Sequence, residues 1–248
     1  MTTRLVLLAY NEEANIGGVL AAIHDLRLPN LEVIVMDDGS SDGTERVVRE
    51  MKGTLALELV SHERNRGVAA AFDTALRYAA RVSAPSDIVV TMEGDGTSDL
   101  AALRPMLELL AAGHHVVVAS RYAPGGAYDG FPIDRKIFSL GANRVMQWYC
   151  GLAGVKDYTI FYRGYRAKIL QEAIRRYGER FIEAQGFFSN IEILVKLSRL
   201  RPLRAAETPH VYRYGRKRSR SKMRVWRNVH EYLKFFLRDT LRSVTPMP

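Results

Sequence analysis

Five short apolar segments lie at regular intervals along the first half of the sequence, and amphipathic stretches separate them. The apolar segments are residues 4–9, 31–36, 55–60, 87–92 and 115–119. Runs this apolar are typical of strands that are covered on both faces. The stretches between them carry apolar residues three and four positions apart, which indicates helices. Two such sets are Ile16, Val19, Leu20, Ile23 and Leu26, and Leu103, Met106, Leu107 and Leu110.

The alternation of strand and helix predicts an α/β fold with a Rossmann-like, mostly parallel central sheet and helices on its faces. For residues 131–200 we predict mainly helices around an irregular stretch. Near the C-terminus an apolar stripe with flanking Lys and Arg predicts a basic amphipathic helix. The stripe comprises Val225, Val229, Leu233, Phe236 and Leu241. We therefore expect a main domain over residues 1–222 and a helical extension over residues 223–248.

A polar loop follows each of the five predicted strands. These loops are residues 10–13, 37–44, 65–67, 93–97 and 120–122. Asp, Gly and Ser are also ordinary turn and cap residues, so any one loop could be a simple turn. Because ligands bind beyond the carboxyl ends of parallel strands, five such loops at one edge favour a binding site. The chain has neither a Gly-x-Gly-x-x-Gly nor a phosphate-loop motif, so a dinucleotide enzyme and a P-loop NTPase are not supported.

The charge of the chain is concentrated near its C-terminus. Of the formal net charge of +9, nearly all comes from eight Lys or Arg residues between positions 213 and 227, where there is no acid. The sequence shows no zinc-ligand spacing, RNA-binding signature or interleaved aromatic residues, so we expect no nucleic-acid partner. The basic run is either a functional loop or a solvated tail.

Other bulk properties point to one compartment. The 248 residues can form one sizeable core. The lone cysteine, Cys150, excludes an internal disulfide and fits a reducing environment. No apolar run approaches the roughly 18–20 residues that span a bilayer, and acidic residues come too early for a signal peptide. We expect a cytoplasmic protein, either free or peripheral on the cytoplasmic face of the membrane.

Taken together, the loop sequences resemble family 2 inverting glycosyltransferases of the GT-A fold, particularly the dolichol- and polyprenyl-phosphate sugar synthases. The likeness spans about residues 4–222. It rests on the ordered motifs Tyr10-Asn11-Glu12, Asp37-Asp38-Gly39-Ser40, Asn65-Arg66-Gly67, Glu93-Gly94-Asp95, Ser120-Arg121-Tyr122, Arg135-Lys136 with Ser139, and Asp157-x-Thr159. The resemblance implies that residues 1–222 form a catalytic GT-A domain.

The resemblance also implies a nucleotide diphosphate sugar donor and a divalent metal. It assigns donor contacts to Tyr10, Glu12, Asp38, Asn65, Gly67 and Arg216, the last in a loop that closes over the donor. It assigns metal ligation to Glu93, Asp95 and Thr97. Two carboxylates separated by one residue can face one hard cation, and Mg²⁺ or Mn²⁺ would stabilise the departing diphosphate.

Glu93 departs from the Asp-x-Asp pattern of the family. The longer side chain implies an altered metal preference, or ligation chiefly through Asp95, or a weakened or inactive enzyme. An acidic turn that binds nothing is a further alternative. A non-catalytic homologue that binds nucleotide sugars is therefore the rival from a different functional class.

The acceptor side of the resemblance comprises Arg121, Arg135 and Ser139, at positions that hold phosphate in the family. Guanidinium groups suit phosphate because they offer paired, permanently charged donors. A lipid phosphate monoester is largely a dianion near neutral pH and needs no general base. A saccharide or small-molecule hydroxyl needs one, and Asp157 is then the candidate. Asp157 could equally order its loop. The predicted catalytic set is Asp95, Arg121, Arg135 and Asp157.

The partner of the C-terminal extension stays open between three possibilities. A basic amphipathic helix can rest on an anionic bilayer, which suits a lipid phosphate acceptor. It can equally pack on its own domain or on the partner in a homodimer.

Overall fold

The structure is a computed structural model that describes residues 1–130, 132–200, 202–216 and 234–236. Within these residues, seven strands form one sheet and two short strands pair beside it. The strands of the large sheet are β1 Thr3–Ala9, β2 Leu31–Asp37, β3 Leu57–Ser61, β4 Ile88–Glu93, β5 Val116–Ser120, β7 Arg163–Arg166 and β8 Ala205–Pro209. The short pair consists of β6 Ala127–Asp129 and β9 Val211–Arg213.

The strand order of the large sheet is β3-β2-β1-β4-β7-β5-β8. All neighbours are parallel except β7, which runs antiparallel to both β4 and β5. The five strands predicted from apolar runs are all present, and their bounds differ from the predictions by no more than two residues. Their side chains are buried on both faces, as for Leu5, Val6 and Leu7 in the central strand β1. The predicted mostly parallel sheet is confirmed.

Seven helices lie within the described residues. They are α1 Glu13–Asp25, α2 Thr44–Glu50, α3 Val68–Val82, α4 Leu103–Ala111, α5 Ile133–Cys150, α6 Ala167–Tyr177 and α7 Phe188–Ser198. The apolar periodicities correctly predicted α1 and α4, whose apolar faces are buried. Helix α3 was not among the helices predicted from the sequence, although Phe72 and Leu76 on its inner face are fully buried.

The prediction for residues 131–200 was incomplete. Three helices are present there, including α7, but the stretch between α5 and α6 also contributes strand β7 to the sheet. Arg163 in β7 is fully buried and donates to the carbonyl oxygens of Asn190 (2.5 Å) and Tyr158 (2.6 Å). These bonds tie β7 to α7 and to the loop that precedes the strand. A four-residue strand containing a buried arginine carries no apolar run, so its pattern gave no signal.

The predicted C-terminal extension lies outside the described residues except for positions 234–236. There Phe235 is buried and its ring lies 5.0 Å from that of Phe188 and 6.3 Å from that of Tyr149. Nowhere in the described residues is a helix both long enough and apolar enough to cross a bilayer.

Candidate active site

The loops after β1 and β2 are joined by reciprocal hydrogen bonds. The backbone N–H of Asn11 donates to Ser40 Oγ (2.8 Å), and the backbone N–H of Ser41 donates to Asn11 Oδ1 (2.8 Å). Asn11 has a φ of +52°, in the left-handed region, and asparagine tolerates that conformation better than most residues. Gly39 also has a positive φ, and a Cβ there would lie 2.3 Å from the backbone of Arg64. The loop after β2 is thereby pressed against the loop after β3.

Asp38 organises the loop after β3. Its carboxylate accepts hydrogen bonds from the backbone N–H groups of Arg66 (2.9 Å) and Gly67 (2.8 Å), and Oδ1 lies 2.7 Å from His62 Nδ1. The other ring nitrogen of His62 lies 3.0 Å from Thr74 Oγ1. Asn65 is exposed on the same loop. The structure therefore brings Asp38 and Gly67 together and adds His62, which the sequence analysis missed.

Two more residues predicted to contact the nucleotide sugar, Tyr10 and Glu12, lie beside these loops. Glu12 is buried, with its backbone N–H donating to Thr44 Oγ1 (2.8 Å) and its Oε2 accepting from Asn15 Nδ2 (2.7 Å). Tyr10 is half-buried at the end of β1. Glu12 thus fixes the start of α1 beside the loop after β2.

The acidic loop follows β4, the neighbour of β1. Asp95 is buried, and its Oδ1 accepts from the backbone N–H (3.1 Å) and the hydroxyl (2.6 Å) of Thr97. Glu93 is half-buried at the end of β4, where its Oε2 accepts from Ser98 Oγ (3.3 Å). A Cβ on Gly94 would lie 3.0 Å from Ile16 and 3.1 Å from the Leu8 carbonyl oxygen. Glycine therefore allows the loop to pack closely on β1 and α1.

Strand β9 lies against this acidic loop. The backbone N–H of Arg213 donates to the carbonyl oxygen of Thr97 (2.9 Å), and its guanidinium pairs with Asp99 (2.9 Å). Burial raises the pKa of the Tyr212 phenol, and the nearby carboxylates of Glu93 and Asp95 raise it further. Both carboxylates are therefore close to the same side chain.

The oxygen atoms that this loop could offer as metal ligands suit a hard divalent cation. No three His, Cys, Asp or Glu side chains are grouped closely enough to hold a metal alone in the part of the chain that the structure describes. Mg²⁺ and Mn²⁺ do not require such a cage, because they keep several positions for water and phosphate oxygens. Glu93 and Asp95 can supply the protein's carboxylates, and Thr97 holds Asp95 in place.

Arg121, directly after β5, forms a buried ion pair with Asp157. Its Nε and Nη2 donate to the two carboxylate oxygens at 2.7 and 2.6 Å, and its backbone N–H donates at 3.1 Å. Burial alone would raise the pKa of Asp157, but Arg121 outweighs it and holds that pKa below its usual value. The aspartate in turn raises the pKa of Arg121 despite burial, so both groups stay charged.

A cluster of hydroxyl groups surrounds Arg121. Arg121 Nη2 also donates to Thr159 Oγ1 (2.6 Å). Ser139 Oγ, buried on the inner face of α5, lies 3.0 Å from the hydroxyl oxygens of Thr159, Tyr122 and Tyr128. The Arg121 Cζ lies 4.8 Å from the centre of the Tyr128 ring. The predicted phosphate residues Arg121 and Ser139 thus lie in one polar cluster with Tyr122, which the sequence analysis named only as part of a motif, and Tyr128, which it did not name.

Two further predicted arginines lie at the rim of this region. Arg135 on α5 donates to Tyr214 Oη (3.3 Å) and stacks on the Tyr214 ring. Arg216 is exposed at the end of the described segment that follows β9. The rest of the basic run, and Ser221 and Lys222 within it, lie outside the described residues.

Tyr212 joins the acidic loop to the arginine cluster. Its ring centre lies 5.9 Å from Arg121 Cζ, while Glu93 and Asp95 are close enough to affect its pKa. The candidate metal ligands and the candidate phosphate-binding arginine therefore both lie near Tyr212. A site that combines carboxylates with a buried guanidinium can hold a metal-bound diphosphate and a second anionic group.

Comparison with known proteins agrees with this architecture. The sequence model of the family described as glycosyl transferase family 2 matches residues 5–174 of this chain. The chain belongs to this family.

Two named proteins are similar to this chain in sequence. The polyprenol monophosphomannose synthase of Mycolicibacterium smegmatis is 29% identical over 174 residues, covering 68% of this chain and 63% of that protein. The dolichol-phosphate mannosyltransferase of Pyrococcus furiosus is 24% identical over 241 residues, covering 96% of this chain and 63% of that protein. The chain therefore spans a little under two thirds of the length of these relatives.

The fold is shared with glucosyl-3-phosphoglycerate synthase from Mycobacterium tuberculosis, solved with Mn²⁺, UDP and phosphoglyceric acid. The TM-score is 0.63 at 22% identity, covering 89% of this chain and 72% of that one. The predicted GT-A fold is confirmed.

His210, just before β9 of this family 2 chain, is a buried histidine that the sequence analysis missed. Its side chain is 1% exposed, neither ring nitrogen has a hydrogen-bond partner within the described residues, and its ring packs edge-on against Tyr162 at 5.4 Å. Burial, reinforced by the charge of Arg121, lowers its pKa to about 4. The histidine is therefore neutral in the folded protein at neutral pH.

We expect this histidine to make the fold sensitive to acid. An unfolded histidine titrates near 6.5, so stability is lost as the pH falls from there towards about 4. Between pH 8 and pH 5.5 the loss attributable to His210 is about 1 kcal/mol. His210→Phe, which keeps the ring contact, should remove that part of the pH dependence in urea unfolding measured at both values. An identical pH dependence in the two proteins would contradict this assignment.

Proposed function

We propose that this family 2 chain is an inverting, metal-assisted glycosyltransferase that moves one sugar from a nucleotide diphosphate sugar to a polyprenyl phosphate. The observation that carries the proposal is that Tyr212 lies near both groups: its ring centre is 5.9 Å from Arg121 Cζ, and the carboxylates of Glu93 and Asp95 help to raise the pKa of its phenol. The acceptor class is supported by the names of the two relatives, a polyprenol monophosphomannose synthase and a dolichol-phosphate mannosyltransferase.

The state of Asp157 favours a phosphate acceptor over a hydroxyl acceptor. A hydroxyl must lose a proton to a base, but the Asp157 carboxylate is fully buried and both of its oxygens are bound to Arg121. A phosphate monoester is already largely ionised at neutral pH and can attack without a base. Asp157 then acts through Arg121, whose guanidinium it holds beside Ser139 and Thr159.

The donor is proposed to lie across the edge formed by β1, β2 and β4. Tyr10, Glu12 and Asp38 lie beside the base and ribose, and the loop of Asn65 and Gly67 closes one side of that region. Glu93 and Asp95 would hold Mg²⁺ or Mn²⁺, which neutralises charge on the departing diphosphate when bound. Mn²⁺ accompanies UDP in the solved structure of similar fold.

The proposed reaction is one in-line displacement. A phosphate oxygen of the acceptor forms the new bond to the anomeric carbon, while the bond from that carbon to the diphosphate oxygen breaks. The nucleoside diphosphate leaves with the electron pair, and the configuration of the sugar inverts. The residues of this chain contribute positioning and charge balance, through Arg121, Arg135 and Ser139 on the acceptor and Arg216 on the donor.

Several finer predictions belong to this proposal. Residues 1–222 form the catalytic domain. Residues 223–248, most of which lie outside the described residues, are proposed to form a basic amphipathic helix that can lie on the cytoplasmic face of the membrane, pack on its own domain or form a homodimer contact. Because the proposed acceptor is a lipid, catalysis would take place at a membrane surface.

Nucleotide release from a panel of GDP-, UDP- and dTDP-sugars tests this function. With Mn²⁺ present, we expect one donor to release its nucleotide at least about tenfold faster when a short polyprenyl phosphate is added. Donor binding without any lipid-dependent release would favour a saccharide or small-molecule hydroxyl acceptor. Failure to bind any donor would favour a non-catalytic homologue.

A further inference from the structure

A cavity opens at the edge of the large sheet that faces away from the candidate active site, and we refer to it as the far-edge cavity. Its volume is about 520 Å³, within the usual range for small-molecule sites. Its lining includes Arg166, which pairs with Ile88 at the start of β4, and His115, which directly precedes β5. The candidate active site instead lies beyond the carboxyl ends of these parallel strands. Because β4 has six residues and a strand rises about 3.3 Å per residue, the two edges lie roughly 15–20 Å apart.

Positively charged side chains surround the far-edge cavity. Arg166 and Lys168 line it, and Arg204 lies beside it, since a Cβ on the lining residue Gly113 would lie 3.3 Å from Arg204 Nη1. Within the described part of the chain, none of these three cations forms an ion pair with a carboxylate. Glu172 is the only acid among the described residues that line the cavity. Like charges that converge in this way repel one another, so an anion in the cavity would relieve that repulsion.

His115 adds a titratable group to this cavity. Its Nδ1 accepts a hydrogen bond from the backbone N–H of Arg204 (2.9 Å), so the neutral ring carries its proton on Nε2. Burial lowers the pKa of His115, and the charges of Arg204 and Arg166 lower it further. A phosphate group among these cations would act in the opposite direction and raise that pKa. His115 therefore gives a local signal for an anion in the far-edge cavity.

The remaining walls of the cavity indicate what kind of anion fits. Ile169 and Leu200 are buried, and they line the cavity together with Pro85 and Pro202. An inorganic ion would leave these apolar walls uncovered, whereas an organic molecule would bury them. A phosphate monoester carries nearly two negative charges near neutral pH, and it suits arginine and lysine better than a carboxylate with one charge does. The combination favours a phosphate group attached to a small apolar or aromatic body.

We propose that the far-edge cavity is a second ligand site, which binds a small organic phosphate. The phosphate group is bound by the cationic side chains of Arg166, Lys168, Arg204 and His115, and the apolar walls cover the organic part. Strands β4 and β5 run between this cavity and the candidate active site, so the ligand is distinct from both the nucleotide sugar and the acceptor. The assignment does not rest on the proposed transfer reaction.

Phenyl phosphate is a suitable probe, since it joins a phosphate group to an apolar ring. The full chain would be titrated in a metal-free buffer of low ionic strength, without nucleotide sugar or lipid, while the imidazole NMR signals are followed. The chain has six histidines, and His115→Asn identifies the signal of His115. We expect that signal to shift saturably and the pKa of His115 to rise, with inorganic phosphate binding at least about tenfold more weakly. An unchanged His115 signal at millimolar phenyl phosphate would overturn the proposal, and equal affinity for the two probes would contradict an organic ligand.

A double variant tests the cationic lining. Arg166→Gln combined with Lys168→Gln should bind phenyl phosphate at least about tenfold more weakly, because two charges are lost while polar side chains remain. Lys52→Gln combined with Arg104→Gln is the matched control, since it removes the same two charges at exposed positions outside the cavity. The control should bind within about twofold of the parent. Equal weakening in both proteins would show a response to overall charge and would contradict a site at this cavity.

Lys168→Gln alone keeps the test independent of folding, since the Lys168 side chain is exposed. It should weaken the binding of phenyl phosphate at least about threefold and leave the melting temperature of the free protein unchanged. Saturating phenyl phosphate should raise the melting temperature of the parent, and by less in this variant at the same concentration. Full affinity in both the single and the double variant would overturn the proposal. Failure of sugar transfer in the parent would refute the proposed function and leave these binding results unaffected.

Discussion

Asp95→Asn should lower turnover by about 100-fold or more while the melting temperature stays within a few degrees of the parent. Asparagine retains an Oδ1 that can accept the two hydrogen bonds from Thr97, so the loop can keep its shape. The negative charge that would hold Mg²⁺ or Mn²⁺ is lost, and charge on the diphosphate is then less well stabilised as it leaves. Turnover at saturating metal and donor, with thermal unfolding measured alongside, checks both parts.

Two further variants provide a control for this result and a test of the metal preference. Asp25→Asn makes the same chemical change at an exposed position near the end of α1, and it should leave turnover unchanged. Glu93→Asp restores the spacing that the family usually has. If Glu93 reflects an altered metal preference, this variant should change the ratio of rates with Mn²⁺ and Mg²⁺. Full activity of Asp95→Asn would remove the basis for the metal assignment.

Asp157→Ala should lower the free energy of unfolding by about 3–5 kcal/mol, since it leaves the charge of Arg121 buried without its partner. The Arg121 side chain is 6% exposed and its pKa is raised, so it cannot readily lose its proton. Turnover should fall as well, because Asp157 holds two of the guanidinium nitrogens beside Ser139 and Thr159. Urea unfolding measures the first effect and lipid-dependent nucleotide release the second.

A double variant separates the effect of losing the whole ion pair from the effect of leaving Arg121 buried without its partner. Arg121→Met combined with Asp157→Leu removes both charges, and it should be more stable than Asp157→Ala because no buried charge is left unpaired. Its turnover should remain low, since the acceptor phosphate loses its guanidinium. If Asp157→Ala costs less than about 1 kcal/mol, or if the double variant regains turnover, Asp157 does not act through Arg121.

Much of the fold follows from local patterns in the sequence. Strands such as β1 and β2 are nearly continuous apolar runs, and α1 has a clear helical period, so each could be recognised from its own residues. Strand β7 could not be recognised in this way. It is four residues long, and it enters the sheet because Arg163 and Tyr165 are buried between elements that lie far apart in the sequence.

The candidate site was predictable to a similar extent. The acids at 93 and 95 and the arginine at 121 stand directly after strands, so the topology alone brings them to one edge. The roles of Tyr212 and His62 depend on contacts between distant segments, and neither residue belongs to a motif. The pairing of Asp157 with Arg121 spans 36 residues, so the sequence left open whether Asp157 acts as a general base or holds other groups in place. The geometry favours the second role, in which Asp157 positions Arg121.

Transfer to a matched pair of acceptors shows whether the sugar goes to a phosphate or to a hydroxyl. With the preferred donor and Mn²⁺, the protein would be incubated with a polyprenyl phosphate or with the free polyprenol of the same chain length, and the lipid products analysed by mass spectrometry. We expect a glycosylated phospholipid from the phosphate and no glycosylated product from the alcohol. Equal or greater transfer to the polyprenol would contradict this expectation.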